Sequence, residues 1–189
     1  MCIRDRDLSS SIKSKEGNFK NNFLPLILNN FSLNLLEAPK ENRRSFLDYL
    51  MFHVEHDYKT NHLKFKKALA QRNRALKKSS SSELKSWTKV FIDLSQKLTK
   101  MKLEFIDSFL KSFPTFVDTL SIPKGLKDKF KSISITYDKG WKDNLLAELR
   151  ESFVKDQARG FTSLGPQTSD LSVKINKQDS GNILSRGEQ

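Results

Sequence analysis

The 189-residue sequence holds a single cysteine, Cys2. One thiol can close no internal disulfide and can supply no cysteine-based zinc site, which suits a chain kept in a reducing cytoplasm. Long apolar runs are missing as well. The longest near the start, Phe23-Leu-Pro-Leu-Ile-Leu28, falls far short of the ~20 residues that cross a bilayer. Residues 1–22 are polar and charged and lack the apolar stretch of a secretory signal, so the expectation is a soluble cytoplasmic chain with no membrane partner. No internal repeat is visible. A phosphate-binding loop is lacking too. The one G-x-x-x-x-G spacing, Gly160-Phe-Thr-Ser-Leu-Gly165, continues as Pro166-Gln167 without the Lys-[Ser/Thr] pair that would hold phosphate and magnesium. No apolar strand ends in paired acids, so these residues by themselves are not expected to form a complete nucleotide site.

Positive charge is what the chain has in excess. Lys and Arg number 34 against 22 Asp and Glu, a net charge of +12, and the pI is near 9.8. Such a balance favours a polyanionic partner, nucleic acid before an acidic membrane surface. Hydrophobic residues at 37% are few for a single globule, while 14 Phe argue against a disordered chain. The charge is concentrated. Between Lys59 and Ser82 stand eight basic residues and no acid: Lys59, Lys64, Lys66, Lys67, Arg72, Arg74, Lys77 and Lys78. A helical face of that kind neutralises several phosphates and binds in a salt-dependent, largely sequence-independent way. The alternative for the same residues is a solvated helix face with no ligand.

Apolar spacing organises the rest. Residues 1–22 carry no periodicity and read as a loose start, of which the opening MCIRDR fits nothing downstream. Residues 23–36 suggest a strand and a turn, and 37–42 a break. Residues 45–78 read as mostly helical with an interruption near 55–58, and Tyr58, His62, Phe65, Leu69, Arg72 and Leu76 recur by threes and fours. After a polar turn at 77–83, the residues Leu84, Trp87, Phe91, Leu94, Leu98, Met101 and Phe105 form a heptad seam. Two seamed helices joined by a short turn predict an antiparallel helical hairpin. The pattern changes beyond Pro114. Residues 122–125 break the helix, and 132–137 alternate as a strand with Ile133, Ile135 and Tyr137 on one face. Residues 143–156 predict a short amphipathic helix burying Leu145, Leu146, Leu149 and Phe153. Residues 171–175 alternate again, ahead of a turn-rich stretch at 176–182. Strands on both sides of a long helical segment imply a sheet domain with an arm growing from it.

Two local patterns carry chemistry. Phe52-His-Val-Glu-His56 could place His53 and His56 on one face near Glu55, with a third metal ligand to come from His62 or a distant acid. The order is not that of a zinc protease, and ordinary packing and capping roles are preferred, so no metal is expected. At the other end, Leu184-Ser-Arg-Gly-Glu-Gln189 can present a hydroxyl from Ser185 and a close backbone approach at Gly187 to an anion. A helix following it would add its dipole.

Several stretches, in order, resemble one family. Arg43-Arg-Ser-Phe-Leu-Asp48, Phe52-His-Val-Glu-His56 and Ala70-Gln-Arg-Asn-Arg-Ala-Leu76 are similar to the central segment of RecF, a bacterial replication and repair ATPase family. Gly160-Phe-Thr-Ser-Leu-Gly-Pro166 with Asp170-Leu171 is similar to its later block, and Leu184-Ser-Arg-Gly187 looks like its ABC signature. The resemblance implies an α/β fold: a partial ABC-type ATPase head with a mixed sheet and an inserted antiparallel helical-hairpin lobe. Residues 23–42 and 115–189 would be pieces of the head, 43–114 the lobe, and about 58–113 the hairpin. It implies a fragment of a protein that binds DNA, including single-stranded, gapped and end DNA, and that supports recombinational repair, recombinase loading and the SOS response. ATP and Mg2+ would belong to the full-length form, with none bound by this fragment alone and no ATP hydrolysis by it. Partners would be DNA, a second copy through the heads, and other recombination mediators.

Carried over residue by residue, Ser185 and Gly187 would contact the γ-phosphate of a nucleotide held by the other subunit. Leu184, Arg186, Glu188 and Gln189 would complete that signature. Arg43, Arg44, Asp48, His53, His56, Gln71, Asn73, Gly165, Pro166 and Asp170 would be structural motif residues. Departures are definite: Gln167 and Thr168 stand where the family carries His and a basic residue, Glu188 is an acid where many relatives have Gln, and no Q-loop glutamine is assignable. A reading from a different class is a non-enzymatic basic helical hairpin that binds nucleic acid or a protein; a third, a His-based metalloenzyme, would rest on His53 and His56.

Overall fold

A computed structural model describes residues 38–78, 80–176 and 178–179. The loose start at 1–22, the expected strand at 23–36 and the signature residues Leu184 to Gln189 lie outside the described residues.

Helix α1 (Lys40–Val54) begins after Pro39, whose fixed φ and free carbonyl suit a helix start. That carbonyl accepts the Asn42 N–H at 2.9 Å. Glu55, in extended conformation, ends the helix. The Tyr58 N–H then returns to the Glu55 carbonyl at 3.0 Å, opening α2 (Tyr58–Lys78) after a very short break. The next helix is α3 (Ser81–Thr119), 39 residues long. The two helices run antiparallel. Phe65 meets Phe91, with ring centroids 5.5 Å apart, and Lys102 lies 6.0 Å from the Tyr58 ring, so partners rise along one helix as they fall along the other.

Helix α4 (Lys124–Lys131) leads into β1 (Ile133–Asp138). Two seven-residue helices follow, α5 (Leu145–Glu151) and α6 (Phe153–Arg159). A 3-10 turn (Pro166–Thr168) then delivers the chain to β2 (Asp170–Ile175) and β3 (Gln178–Asp179). The strands are ordered β1-β2-β3, with Ile133 opposite Ile175 and Asp138 opposite Asp170. Asn176 makes the turn into β3 at φ 50°, a left-handed conformation that asparagine tolerates better than most residues. Alternation along β1 turns Ile133, Ile135 and Tyr137 inward. The core joins both parts. Leu47 and Met51 from α1, Phe65 from α2, Phe91 and Leu98 from α3, and Trp141, Leu145 and Leu149 beyond β1 form one buried cluster.

The structure departs from the sequence expectations at definite places. The sheet is antiparallel throughout the described residues rather than mixed. Helix α3 passes through Pro114 and ends only at Thr119, and Val117 beyond the proline is fully buried, which holds that last turn in place. The expected lobe boundaries at 42/43 and 114/115 therefore fall inside α1 and α3. The buried line of α3 is Phe91, Ser95, Leu98, Thr99, Lys102 and Ile106; Trp87, Leu94, Met101 and Phe105 of the heptad seam are only partly buried. The single helix expected at 143–156 is split at Ser152 into α5 and α6. Leu146, expected inside, is 39% exposed.

Candidate nucleic-acid interface

Helix α2 has no acidic residue at all. Seven of its basic residues, Lys59, Lys64, Lys66, Lys67, Arg74, Lys77 and Lys78, are exposed. At roughly 100° per residue they fall within an arc of about 160°. Opposite them, Tyr58, Phe65, Ala68, Ala75 and Leu76 are buried against the rest of the molecule. The basic face is thus the side of the helix that faces water, about 28 Å long at 1.5 Å per residue. Packing fixes one member in place: a Cβ on Gly160 would lie 2.9 Å from the Lys77 Cε, so the Lys77 stem crosses that glycine. Such a stripe offers cations on flexible stems to a phosphate backbone and carries no base-reading pattern.

Arg72 does not belong to this face, which corrects the expectation of a nucleic-acid contact there. It is 2% exposed. Its guanidinium lies 5.7 Å from the Phe91 ring centre, donates to Thr88 Oγ1 at 3.2 Å and to Thr162 Oγ1, and stands 3.7 Å from the fully buried Asp156. Burial lowers its pKa, and the Asp156 charge and hydrogen bond work the other way. Asp156 Oδ1 also accepts from the Ser163 N–H at 3.1 Å and the Ser163 hydroxyl at 2.6 Å. Asn73 completes the clamp, its Oδ1 accepting from the Thr162 N–H at 2.8 Å and the Thr162 hydroxyl at 2.7 Å. Residues 72–73 and 156–163, far apart in sequence, thereby lock α2 to the segment after α6.

A second clamp joins α1 to the start of β2. Arg43 donates through Nε and Nη2 to both oxygens of Asp170, at 2.9 and 2.8 Å, and also reaches the Ala38 carbonyl. This bidentate fork is a strong form of the Arg–carboxylate pair. Arg44 donates to the Ser169 carbonyl at 2.7 Å and to Glu41 at 3.1 Å. Burial pushes the Asp170 carboxyl up, but the Arg43 hydrogen bond, the Leu171 N–H and the two arginine charges together take it below the usual range.

Asp48 anchors a third cluster. Lys102, 3% exposed, approaches its Oδ1 to 2.8 Å, and the Tyr58 hydroxyl donates to the same oxygen at 2.6 Å. His62 Nδ1 lies 4.0 Å from the other oxygen. Burial, and then the Asp48 charge, push the Tyr58 phenol far above its ordinary value. Burial lowers the His62 pKa, against the pull of Asp48 and with the push of Lys66 and Lys102.

The remaining motif residues separate. His53 and His56 are exposed near the end of α1, where His53 meets the Tyr49 ring edge-on at 4.6 Å. No group of three His, Cys, Asp or Glu residues among those described could hold a metal ion. Gln71 is half-buried on α2. Gly165 sits at φ +130°, and a Cβ there would lie 2.6 Å from Phe91 Cζ. Pro166 follows it, buried at the start of the 3-10 turn. Gln167, where the resembled family has histidine, donates to the Thr162 and Leu164 carbonyls at 3.2 and 2.9 Å, and its Oε1 is buried without a partner. Lys102, Asp156 and Thr162 escape sequence reasoning. Only the position of Lys102, four residues after Leu98 on the packed side of α3, could have signalled it.

The fold and these clamps define a class: a basic helical hairpin and the helix before it, locked by arginine–carboxylate pairs to an antiparallel β-sheet and its flanking short helices. No protein-family model matches the chain. Curated relatives do. RecF of Saccharophagus degradans is 31% identical over 160 residues, 82% of this chain and 42% of the relative. RecF of Pseudoalteromonas translucida is 35% identical over 156 residues, 80% of this chain and 41% of the relative; both carry the name DNA replication and repair protein. A solved structure of the recombination mediator RecF with ATP, from the RecFOR pathway, superposes with a TM-score of 0.71 at 21% identity, covering 88% of this chain and 47% of that one. The chain is RecF-like over this span, which is a little under half the length of the curated relatives it matches. No helix among the described residues is long and apolar enough to cross a membrane.

Proposed function

We propose that this chain is part of a RecF-like DNA replication and repair protein, in which it supplies the arm that meets DNA and the segment that meets a partner's nucleotide. The observation that carries the proposal is the pairing of Arg43 with Asp170 and of Asn73 with Thr162. These contacts knit three of the resembling stretches, 43–48, 70–76 and 160–171, into one body and leave the basic side of α2 open. That side binds the phosphate backbone without regard to sequence. The helical hairpin acts as a lobe on a partial ATPase head. Leu184, Ser185, Arg186, Gly187, Glu188 and Gln189 serve as the signature, with Ser185 and Gly187 turned to the γ-phosphate of ATP, as its Mg2+ complex, held by a second copy. Recombination mediators are the accompanying partners, and the setting is the cytoplasm. This stretch by itself hydrolyses no ATP.

The test is electrophoretic. The chain should shift a gapped duplex at low salt, unrelated duplexes should compete equally, and added ATP should be neither consumed nor required. Absence of a shift at low salt, preference for one sequence, or measurable turnover would contradict the proposal.

A further inference from the structure

Beyond the basic face, α3 lines an open groove that the core does not fill. It lies between the first four turns of α3 and the α5–α6 pair, with a volume of about 1070 Å³. Leu84 and Ile92 on one side and Leu146, Leu149 and Phe153 on the other make it largely apolar. On α3 the lining positions run from Ser81 to Gln96 along the side of the helix turned to the groove, a length of about 22 Å. Four charges stand among the lining residues besides the neutralised Arg72: Lys85, Lys89 and Arg150 against Asp93 alone. All four are exposed, and none is ion-paired among the described residues.

We infer that this groove is a docking site for an amphipathic helix of a partner protein, about four turns long, with apolar anchors on one face and carboxylates on its flanks. An apolar trough of this length matches the helix-in-groove mode, in which anchors at helical spacing fill the floor. The cation excess selects the sign of the flanks and steers the encounter. Nucleic acid is the poorer occupant, because an apolar lining offers nothing to phosphates and the basic stripe of α2 is elsewhere. A second copy is disfavoured by the net charge of +12. The apolar stretch 23–36 of this chain contains no charged residue to satisfy the rim.

The test uses the 189-residue chain and a fluorescein-labelled 15-residue designed peptide, with Leu at helical a and d spacing and Glu elsewhere. Its controls replace every Glu by Lys or every Leu by Ser. Fluorescence anisotropy should show binding of the acidic peptide and a loss of about tenfold or more with either control. Leu146→Glu should weaken binding by about tenfold, and Lys85→Glu with Lys89→Glu by several-fold in a salt-dependent manner. Leu146 is exposed enough for the variant to keep its fold, which far-UV circular dichroism checks, and Leu146→Ser gives a second reading at the same position. Leu146→Glu should leave gapped-duplex binding within about twofold, which separates this site from the α2 face. No binding of the acidic peptide, equal binding of the Lys peptide, or indifference to both Leu146 variants would overturn the inference. So would displacement of the peptide by duplex DNA, or a self-association of the chain that Leu146→Glu abolishes.

Discussion

Replacing Arg72 with Met should cost the fold dearly and cost DNA binding nothing beyond the loss of folded protein. The guanidinium is 2% exposed and its partner Asp156 is 0% exposed. The substitution removes the donors to Thr88 and Thr162 and the 3.7 Å approach to Asp156. Taking one partner from a buried pair costs ~3–5 kcal/mol, because the other charge stays behind without compensation. Asp156 keeps the two Ser163 donors, which places the expectation near the lower end of that range. Against a total stability of ~5–15 kcal/mol this is a large fraction, and it corresponds to a drop in Tm of roughly 6–20 °C for a domain of this size. Urea denaturation followed by far-UV circular dichroism measures it. Lys66→Met, on the exposed face of the same helix, should stay within about 0.5 kcal/mol of the parent. Adding Asp156→Asn to Arg72→Met should recover part of the loss by removing the stranded charge. A cost under about 1 kcal/mol, together with a fall in DNA affinity matching that of Lys66→Met, would refute the buried assignment and return Arg72 to the basic face.

Three further outcomes follow from the clamps. Asp170 has a lowered pKa in the fold, so its contribution is present above the unfolded value of about 3.9 and is lost as pH falls through the lower folded value; melting from pH 5 down to the acid limit should show a decline that Asp170→Asn flattens. His62 also has a lowered pKa, but as a base it binds its proton more readily in the unfolded chain. Stability should therefore fall as pH drops through about 6.5, and His62→Gln should remove that slope; a slope of opposite sign would contradict the arrangement around Asp48. Gly140→Ala should destabilise more than Gly165→Ala. The new Cβ at Gly140 would meet the backbone oxygen of Gly165 at 2.3 Å and the Thr168 hydroxyl at 2.5 Å, whereas the one at Gly165 would meet side-chain atoms alone, Phe91 Cζ at 2.6 Å and Gln167 Oε1 at 2.7 Å.

Much of this architecture can be read from spacing, and the misreadings share a cause. The break near 55–58, the long hairpin helices and the inward face of β1 all follow from apolar periodicity, which burial of one face dictates. Arg72 has two claims on it: a place in the α2 periodicity beside Phe65 and Leu76, and a place in the basic run. Position prevails over charge because Asp156, 84 residues away in sequence, supplies a counter-ion that no local pattern reveals. Lys102 escapes notice for the same reason, its partner Asp48 lying on another helix. A strict heptad describes the α3 seam too rigidly. A straight helix drifts by ~20° per heptad, and α3 packs on β1 as well as α2, so Ser95, Thr99 and Lys102 turn inward with Leu98. Pro114 reads as a helix end, yet a proline inside a helix removes only one backbone donor and crowds one carbonyl, and the buried Val117 offsets that cost. The roles of Arg43, Arg44 and Asp170 rest on resemblance alone at the level of sequence; the Arg43–Asp170 fork and the Arg44 bond to the Ser169 carbonyl give a physical reason for those residue types.

The most direct measurement is the salt dependence of duplex binding by the chain and by a variant carrying Lys64→Ala, Lys66→Ala and Lys67→Ala. If α2 lies along the phosphate backbone, log K should fall linearly with log salt. The triple substitution should then weaken binding and reduce the slope by up to ~2.7, at ~0.9 for each phosphate that is no longer neutralised. An unchanged slope and affinity in the triple variant, with its fold intact, would contradict the placement of DNA on this face.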